Sequence, residues 1–278
     1  MPSADSVRRA AVVTHGKPQT IGPALAQLER VAREHGVELL FPADEREKHR
    51  LERGDDDPRA ADVAVVLGGD GTMLRAQQRF LGTGVPVVGV NFGRVGFLAS
   101  IDSRELESGL ARVFAGDFER VELPTLELEA DGVRRAAVND VFGTSATLGR
   151  MVELAWGIGG EDLGTQPCDG VICAAPAGST AYNLSNGGPV LVWGLDAMVI
   201  TFVAPHSLHA RPLVVPRGRD LAVANRTADV SVTVLADGHA TADIGPDGHF
   251  VVRLGEQRSV LATLPERTFF RRYRETFS

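Results

Sequence analysis

Asp70 stands inside Gly68-Gly69-Asp70-Gly71, directly after the apolar run Val63 to Leu67 and directly before Thr72, Met73, Leu74, Arg75 and Ala76. Glycines permit positive φ and let a ligand come close to the backbone. A strand, a glycine turn and a helix start together present backbone N–H groups and the positive end of a helix dipole to a phosphate. A carboxylate repels phosphate, so a plain phosphate cradle has no use for Asp70. Beside a phosphate site, a carboxylate suits a group that receives a hydroxyl proton as a phosphoryl group arrives. The same residue could instead bond turn amides, as aspartate does in loops. On this stretch alone both readings stay open. Arg75 and Arg79, one helical turn apart, either reach phosphate or line a solvated face.

A second unusual stretch runs from Cys168 to Pro189. A strand ends at Pro176, and Ser179, Thr180, Tyr182 and Ser185 follow among alanines and glycines. Small residues let a flat ring reach the backbone, and the hydroxyls can bond it. That composition suits a nucleoside pocket; the plain alternative is a tight turn before a helix. Other clusters are weaker. His15 and Lys17 follow a strand, where α/β sheets bind ligands, but a plain loop role accounts for them better. Asp55-Asp56-Asp57 reads as a solvated acidic loop rather than a metal site. His206 and His209 do not have the spacing of two ligands on one strand face.

The elements that must position these residues follow from periodicity. Ala10 to Val13, Val37 to Phe41, Val63 to Leu67 and Val85 to Val90 read as buried strands. Ile21, Leu25, Leu28 and Val31 keep helical spacing up to Gly36, and Thr72 and Ser103 are candidate caps for further helices. Strands alternating with helices predict a parallel, doubly wound α/β domain over residues 1–118. The charged stretch from Asp44 to Arg59 reads as a solvated loop or frayed helix. Near Phe118 the pattern changes to strand period, with turn signals at Asp131-Gly132, Asp237-Gly238 and Asp247-Gly248. Ala137 to Gly143, Val152 to Ile158, Val171 to Ala174, Met198 to Val203, Leu213 to Val215, Leu221 to Val223, Val230 to Leu235 and Phe250 to Leu254 read as strands. Residues 119–255 are thus expected to form a mostly-β domain. The tail, 256–278, carries Phe269, Phe270, Tyr273 and Phe277 and is expected to fold back on the body, since exposed aromatics are costly.

Composition narrows the class. The chain has 278 residues, 44% of them apolar, enough for two cores. A net charge of −7 argues against general binding to nucleic acid or membrane surfaces. Two cysteines, no apolar leader and no run long enough to span a bilayer predict a cytoplasmic protein.

Taken in order, GGDGTMLRA, GVNFGRVGFLA, VNDV, DGVICAAPAGSTAYNLSNGGPV and APHSLHARPLVV resemble the NAD kinase family, from about Val63 to Leu235. GGDG alone is shared with lipid kinases and phosphofructokinases; the GSTAY segment at this distance is specific. The resemblance implies phosphoryl transfer from ATP, or in some members polyphosphate, to the 2′-hydroxyl of the adenosine ribose of NAD, with Mg²⁺ or another divalent cation. It implies Asp70 as proton acceptor. It further implies that Asp70, Gly71, Arg75, Asn139, Asp140, Asp169, Thr180, Ala181, Tyr182, Asn183, Leu184, Ser185 and His239 line the nucleotide site. Homodimers or homotetramers, with the NAD site completed by a neighbouring subunit, are also implied. Asp140 replaces the family's usual Glu, Ala175 and Ala177 replace threonines, and His239 stands near a usual Gln or Asn. These departures bear on NAD against NADH and on the phosphoryl donor. Asp140 either accepts hydrogen bonds from ribose hydroxyls or pairs with an arginine. A small-molecule or lipid kinase sharing the GGDG turn, and a nucleotide-binding sensor without turnover, are the other classes; the presence of Asp70 favours catalysis over mere binding.

Overall fold

The computed structural model describes residues 6–16, 18–51, 57–93 and 96–277. The readings of Lys17 and of Asp55 and Asp56 fall outside these residues. The chain forms two compact units, residues 1–122 with 259–278, and residues 123–258.

In the first unit, strands alternate with helices: β1 (Arg9–Thr14), α1 (Pro18–His35), β2 (Glu38–Leu40), α2 (Ala43–His49), β3 (Val63–Gly68), α3 (Asp70–Arg79), β4 (Val87–Asn91), β5 (Ile101–Asp102) and α4 (Leu106–Phe114). The strands pair in parallel in the order β2-β1-β3-β4-β5, with Ala10 opposite Val63 and Ala64 opposite Val87. Every residue of β3 is buried, which is why it reads as an unbroken apolar run. Val63, Val65 and Leu67 join Ile21, Leu28, Leu110 and Val113 of α1 and α4 in one core. The alternate residues, Ala64 and Val66, face the other side, where α3 packs on β3 and β4.

Three local expectations change. The helix after GGDG is capped by Gly69, without a side chain, and Thr72 lies buried within its first turn. Asp102, not Ser103, caps the turn leading into α4, by accepting the Arg104 N–H at 2.9 Å. The charged stretch after Asp44 is not all solvated, because Glu45 on α2 is fully buried. Asp57 caps the short turn Pro58–Ala60.

The second unit is built from antiparallel strands: β6 (Glu119–Ala130), β7 (Val133–Ala137), β8 (Asp140–Ser145), β9 (Val152–Ile158), β10 (Glu161–Cys168), β11 (Gly170–Ala174), the one-turn helix α5 (Tyr182–Ser185), β12 (Ala197–Val203), β13 (Leu213–Pro216), β14 (Leu221–Asn225), β15 (Val232–Ala236), β16 (His239–Ile244) and β17 (His249–Thr263). One layer is a six-stranded sheet in the order β13-β12-β11-β8-β15-β16. The other runs β10-β9-β14-β17-β6-β7. Inward residues of both layers, among them Leu126, Leu154, Val171, Met198, Val223, Val234 and Phe250, share one core. Asp131-Gly132 and Asp237-Gly238 make hairpin turns with both residues at positive φ. The run Ala137 to Gly143 is not one strand; it breaks at Val138 and Asn139, between β7 and β8. Strands β10 and β16 were not expected: β10 holds few apolar residues and β16 alternates only weakly.

At the end of β17, Leu261 pairs with Val87, and the chain closes with α6 (Phe269–Phe277) in the first unit. Phe97 meets Phe269 edge-on at 5.5 Å and Phe277 at 5.9 Å. No helix among the described residues is long and apolar enough to cross a membrane.

Candidate active site

In the first unit, Asp70 opens α3 at the carboxyl end of β3. Its Oδ2 accepts the Phe97 N–H at 2.9 Å and its Oδ1 the Leu98 N–H at 3.2 Å. The carboxylate does bond amides, yet those of the loop after β4 rather than of its own turn. Each oxygen keeps a second lone pair, so the group can still accept from a hydroxyl. The N–H groups of Thr72 and Met73 bond Gly69 O at 2.9 and 3.0 Å. Those of Asp70 and Gly71 have no partner among the described residues, and nothing lies within 4 Å of the position a Gly71 Cβ would take. This is an open helix start with a fixed carboxylate on its rim.

Beside it, at the end of β1, lies an ionic cluster with no signature in the sequence. Buried Glu45 accepts the Thr14 hydroxyl at 2.7 Å and Lys48 Nζ at 2.7 Å, and Arg75 Nη2 lies 3.4 Å away. With the Thr14 hydrogen directed to Glu45, His49 Nε2 donates to Thr14 Oγ1 at 2.8 Å. Burial holds the His49 ring below its usual pKa. Arg75 also donates to the Thr14 carbonyl. Arg79 forms a two-point pair with Asp44 at 2.7 and 2.8 Å. Neither arginine stands free on a solvated face. A pocket of about 1100 Å³ in the first unit lies elsewhere, among Arg8, Arg59, Thr83 and Arg120.

In the second unit, the break between β7 and β8 is held by Asp237. Its carboxylate accepts the N–H groups of Val138 at 2.8 Å, Asn139 at 2.7 Å and Asp140 at 3.2 Å. Asn139 O accepts the Ala175 N–H at 2.9 Å, and Gly178 presses so closely on the Asn139 backbone that a Cβ there would overlap it. Asn139 Oδ1 is buried with no partner among the described residues. No arginine among the described residues pairs with Asp140, and its carboxylate receives no hydrogen bond from them. Burial, then the nearby Asp237 charge, pushes its pKa up from 3.8 to about 7. Asp237 is the residue that sequence reasoning missed as part of the site. Its sequence context shows only a turn former, though the turn follows an apolar strand.

Residues 178–185 form a rigid turn. Ser179 Oγ donates to Pro176 O at 2.8 Å and accepts the Leu191 N–H at 3.0 Å. Asn183 is fully buried: Nδ2 donates to Ser179 O and Pro189 O, and Oδ1 accepts the Thr201 hydroxyl at 2.8 Å. Both Nδ2 hydrogens and Oδ1 are thus engaged within the protein, and the buried side chain shapes the turn from inside. Tyr182 is exposed and meets Phe142 edge-on at 5.2 Å. Thr180, Ala181 and Leu184 are half-buried and Ser185 is exposed. His239 is exposed at the start of β16, after the Asp237-Gly238 turn. Asn139, Asp140, the 178–185 turn and His239 thus gather at one end of the six-stranded sheet. Asp169 does not join them. It precedes β11, whose other end, Ala174, pairs with Asp140, so the backbones of Asp169 and Asp140 are about 16 Å apart along the strands at 3.3 Å per residue.

The model of the ATP-NAD kinase N-terminal domain matches residues 24–118, and that of the ATP-NAD kinase C-terminal domain matches residues 138–264. A protein named NAD kinase from Heliobacterium modesticaldum is 39% identical over 222 residues, covering 78% of each chain. Another from Symbiobacterium thermophilum is 36% identical over 284 residues, covering 97% of this chain and 98% of its own. Among solved structures, an Archaeoglobus fulgidus NAD kinase in complex with ATP superposes with a TM-score of 0.76 at 27% identity, covering 96% of this chain and 98% of its own. Yeast NADH kinase complexed with NADH shares the fold, with a TM-score of 0.83 at 22% identity, over 97% of this chain and 87% of its own. With both domain models matched and relatives of this identity spanning its length, the chain belongs to the NAD kinase family.

Proposed function

We propose that this protein phosphorylates the 2′-hydroxyl of the adenosine ribose of NAD, with ATP as donor, giving NADP and ADP. The observation that carries the reading is Asp70: a carboxylate fixed by two amides at the rim of a helix start whose own first N–H groups are open. The 2′-oxygen attacks the γ-phosphorus, the bond from that phosphorus to the β,γ-bridging oxygen breaks, and the hydroxyl proton passes to Asp70. The carboxylate orients the hydroxyl as it loses its proton, while the amides of Asp70 and Gly71 and the α3 dipole offset phosphate charge.

No group of three or more His, Cys, Asp or Glu side chains among the described residues could hold a metal ion. A divalent cation such as Mg²⁺ therefore fits as a companion of the ATP phosphates, with Asp70 the carboxylate of the turn, and supplies charge neutralisation when bound. Asn139 Oδ1 and the Asp140 carboxylate, both lacking donors among the described residues, are suited to the hydroxyls and amino groups of NAD. Tyr182 offers an exposed ring for stacking, and Arg75 a guanidinium beside the helix start. Because Asp169 lies at the far end of β11, its part in a nucleotide site would come from a second copy of the chain, which supports a homodimer or homotetramer. A cytoplasmic location is part of the same reading.

The test is a coupled assay with NAD, ATP and Mg²⁺, read as NADP formed. Absence of NADP from a folded sample, with ATP and with polyphosphate, overturns the proposal. Light scattering at micromolar concentration tests assembly: a fully active monomer refutes the shared site.

A further inference from the structure

The loop that holds Asp70 is held in turn by the last helix of the chain. Arg272 on α6 is 3% exposed. Its Nε donates to Arg267 O at 3.0 Å, Nη1 to Phe97 O at 2.9 Å and Ala99 O at 2.6 Å, and Nη2 to Ser100 Oγ at 3.1 Å and Thr263 Oγ1 at 2.7 Å. A guanidinium has five N–H donors, and here each has an acceptor. The acceptors are themselves anchored: Ser100 Oγ donates to Ala262 O at 2.9 Å, and Thr263 Oγ1 to Arg267 O at 3.0 Å. Phe97 and Phe269 pack edge-on alongside.

The peptide between Phe97 and Leu98 carries the connection. Its oxygen accepts from Arg272 and its N–H donates to Asp70 Oδ1. A trans peptide is planar, with oxygen and hydrogen on opposite sides. Any rotation that frees the oxygen from Arg272 swings the N–H off Asp70. The Phe97 N–H, bonded to Asp70 Oδ2, begins the same segment. Guanidinium and carboxylate also attract each other across that peptide. For a residue whose only task is to seat a helix, a buried cation is an expensive choice against an apolar one. A buried cation whose acceptors are the back side of the Asp70 loop has a further use.

We infer that Arg272 is a positioning residue for phosphoryl transfer, acting through the Phe97–Leu98 peptide to fix the carboxylate of Asp70. This rests on Asp70 being the proton acceptor proposed above. It also makes α6, far from Asp70 in sequence, part of the catalytic apparatus.

The experiment compares Asp70→Asn, Arg272→Lys, Arg272→Ala and Thr263→Val with the full-length wild type. Misplacing a reacting group by about 1 Å costs on the order of a hundredfold. Arg272→Lys keeps the charge but cannot reach all five acceptors; kcat should fall about tenfold to a hundredfold, with KM for NAD and ATP within about threefold. Added guanidinium ion at millimolar concentration should raise kcat of Arg272→Ala, and leave Arg272→Lys and the wild type unchanged. Thr263→Val removes one acceptor and should lower kcat less. Hydrogen exchange at the Leu98 amide should quicken in each Arg272 variant. If Arg272→Ala does not fold, Arg272→Lys and Thr263→Val decide. Folded Arg272→Lys with wild-type kcat, beside an inactive Asp70→Asn, overturns the inference alone. An active Asp70→Asn overturns the reading on which it rests.

Discussion

Replacing Asp140 by Asn should make the protein more stable and a poorer binder of NAD. The carboxylate is half-buried, lies near the Asp237 carboxylate and the Cys173 thiol, and has no donor among the described residues. Its pKa is pushed from 3.8 to about 7. The folded protein therefore holds a proton that the unfolded chain releases near pH 4. Stability is highest below that value, falls as pH rises to about 7, and stays reduced above it. Three units at 1.36 kcal/mol set a ceiling of about 4 kcal/mol, and partial exposure lowers the expected penalty to about 1–2 kcal/mol. Asn has the same shape and no charge, so Asp140→Asn should gain that amount at about pH 8, a rise in melting temperature of about 3–6 °C. The gain should shrink steadily toward about pH 4. Meanwhile the Kd for NAD should rise about tenfold, since a charge-assisted acceptor becomes a neutral one. Calorimetric melts at several pH values, with NAD titrations on the same samples, test both. A gain in stability that is independent of pH, or no gain, refutes the electrostatic account. Unchanged NAD affinity removes Asp140 from the site.

Asp70→Asn should lower kcat about a hundredfold or more with NAD affinity little changed, because a positioned base supplies that much and the amide cannot accept from both Phe97 and Leu98; single-turnover kinetics beside NAD titration check it. Glu45→Gln should cost about 3 kcal/mol, seen as a melting point lower by about 10 °C, because Lys48 and Arg75 lose their buried counter-charge; an unchanged melt removes Glu45 from that role. Gly178→Ala should push the Asn139 backbone out of place, with a loss of about 1–3 kcal/mol and NAD binding weakened more than stability alone explains; a crystal structure with Asn139 unmoved contradicts this.

Much of the fold is legible in the sequence, and the misses have common causes. Val63 to Gly68 is apolar at every position because both faces of β3 are covered, so strand, burial and parallel sheet follow together. The same logic fails at Glu45. A charged heptad reads as solvated, and only tertiary structure brings Thr14, Lys48 and Arg75 around one carboxylate. Asp237 and Asn183 mislead in opposite ways. Asp237 has the character of a turn residue, yet it holds three amides of the site from 97 positions away or more. Asn183 has the character of a ligand contact, yet it is bonded entirely inside the chain. Hydrogen bonds of long sequence separation leave no periodic trace. Helix starts are similar: Thr72 and Ser103 have cap-forming side chains, but Gly69 and Asp102 take the positions, since backbone path rather than residue preference sets where each turn begins.

The first unit is discontinuous, and this has a consequence for its birth on the ribosome. Residues 1–122 emerge early, yet Leu261, which lies beside Val87, and Arg272, which braces the Asp70 loop, come only after the whole of residues 123–258. At 5–20 residues per second that interval is on the order of ten seconds. During it β4 lacks its β17 neighbour and Phe97 lacks Phe269, so the nascent chain shows an open sheet edge and an uncovered aromatic. Such a chain is a natural client for holding chaperones. Phosphoryl transfer would also switch on late, with the final helix rather than with the glycine turn, so a protein stalled or clipped near its C-terminus would be inactive although the GGDG sequence is intact.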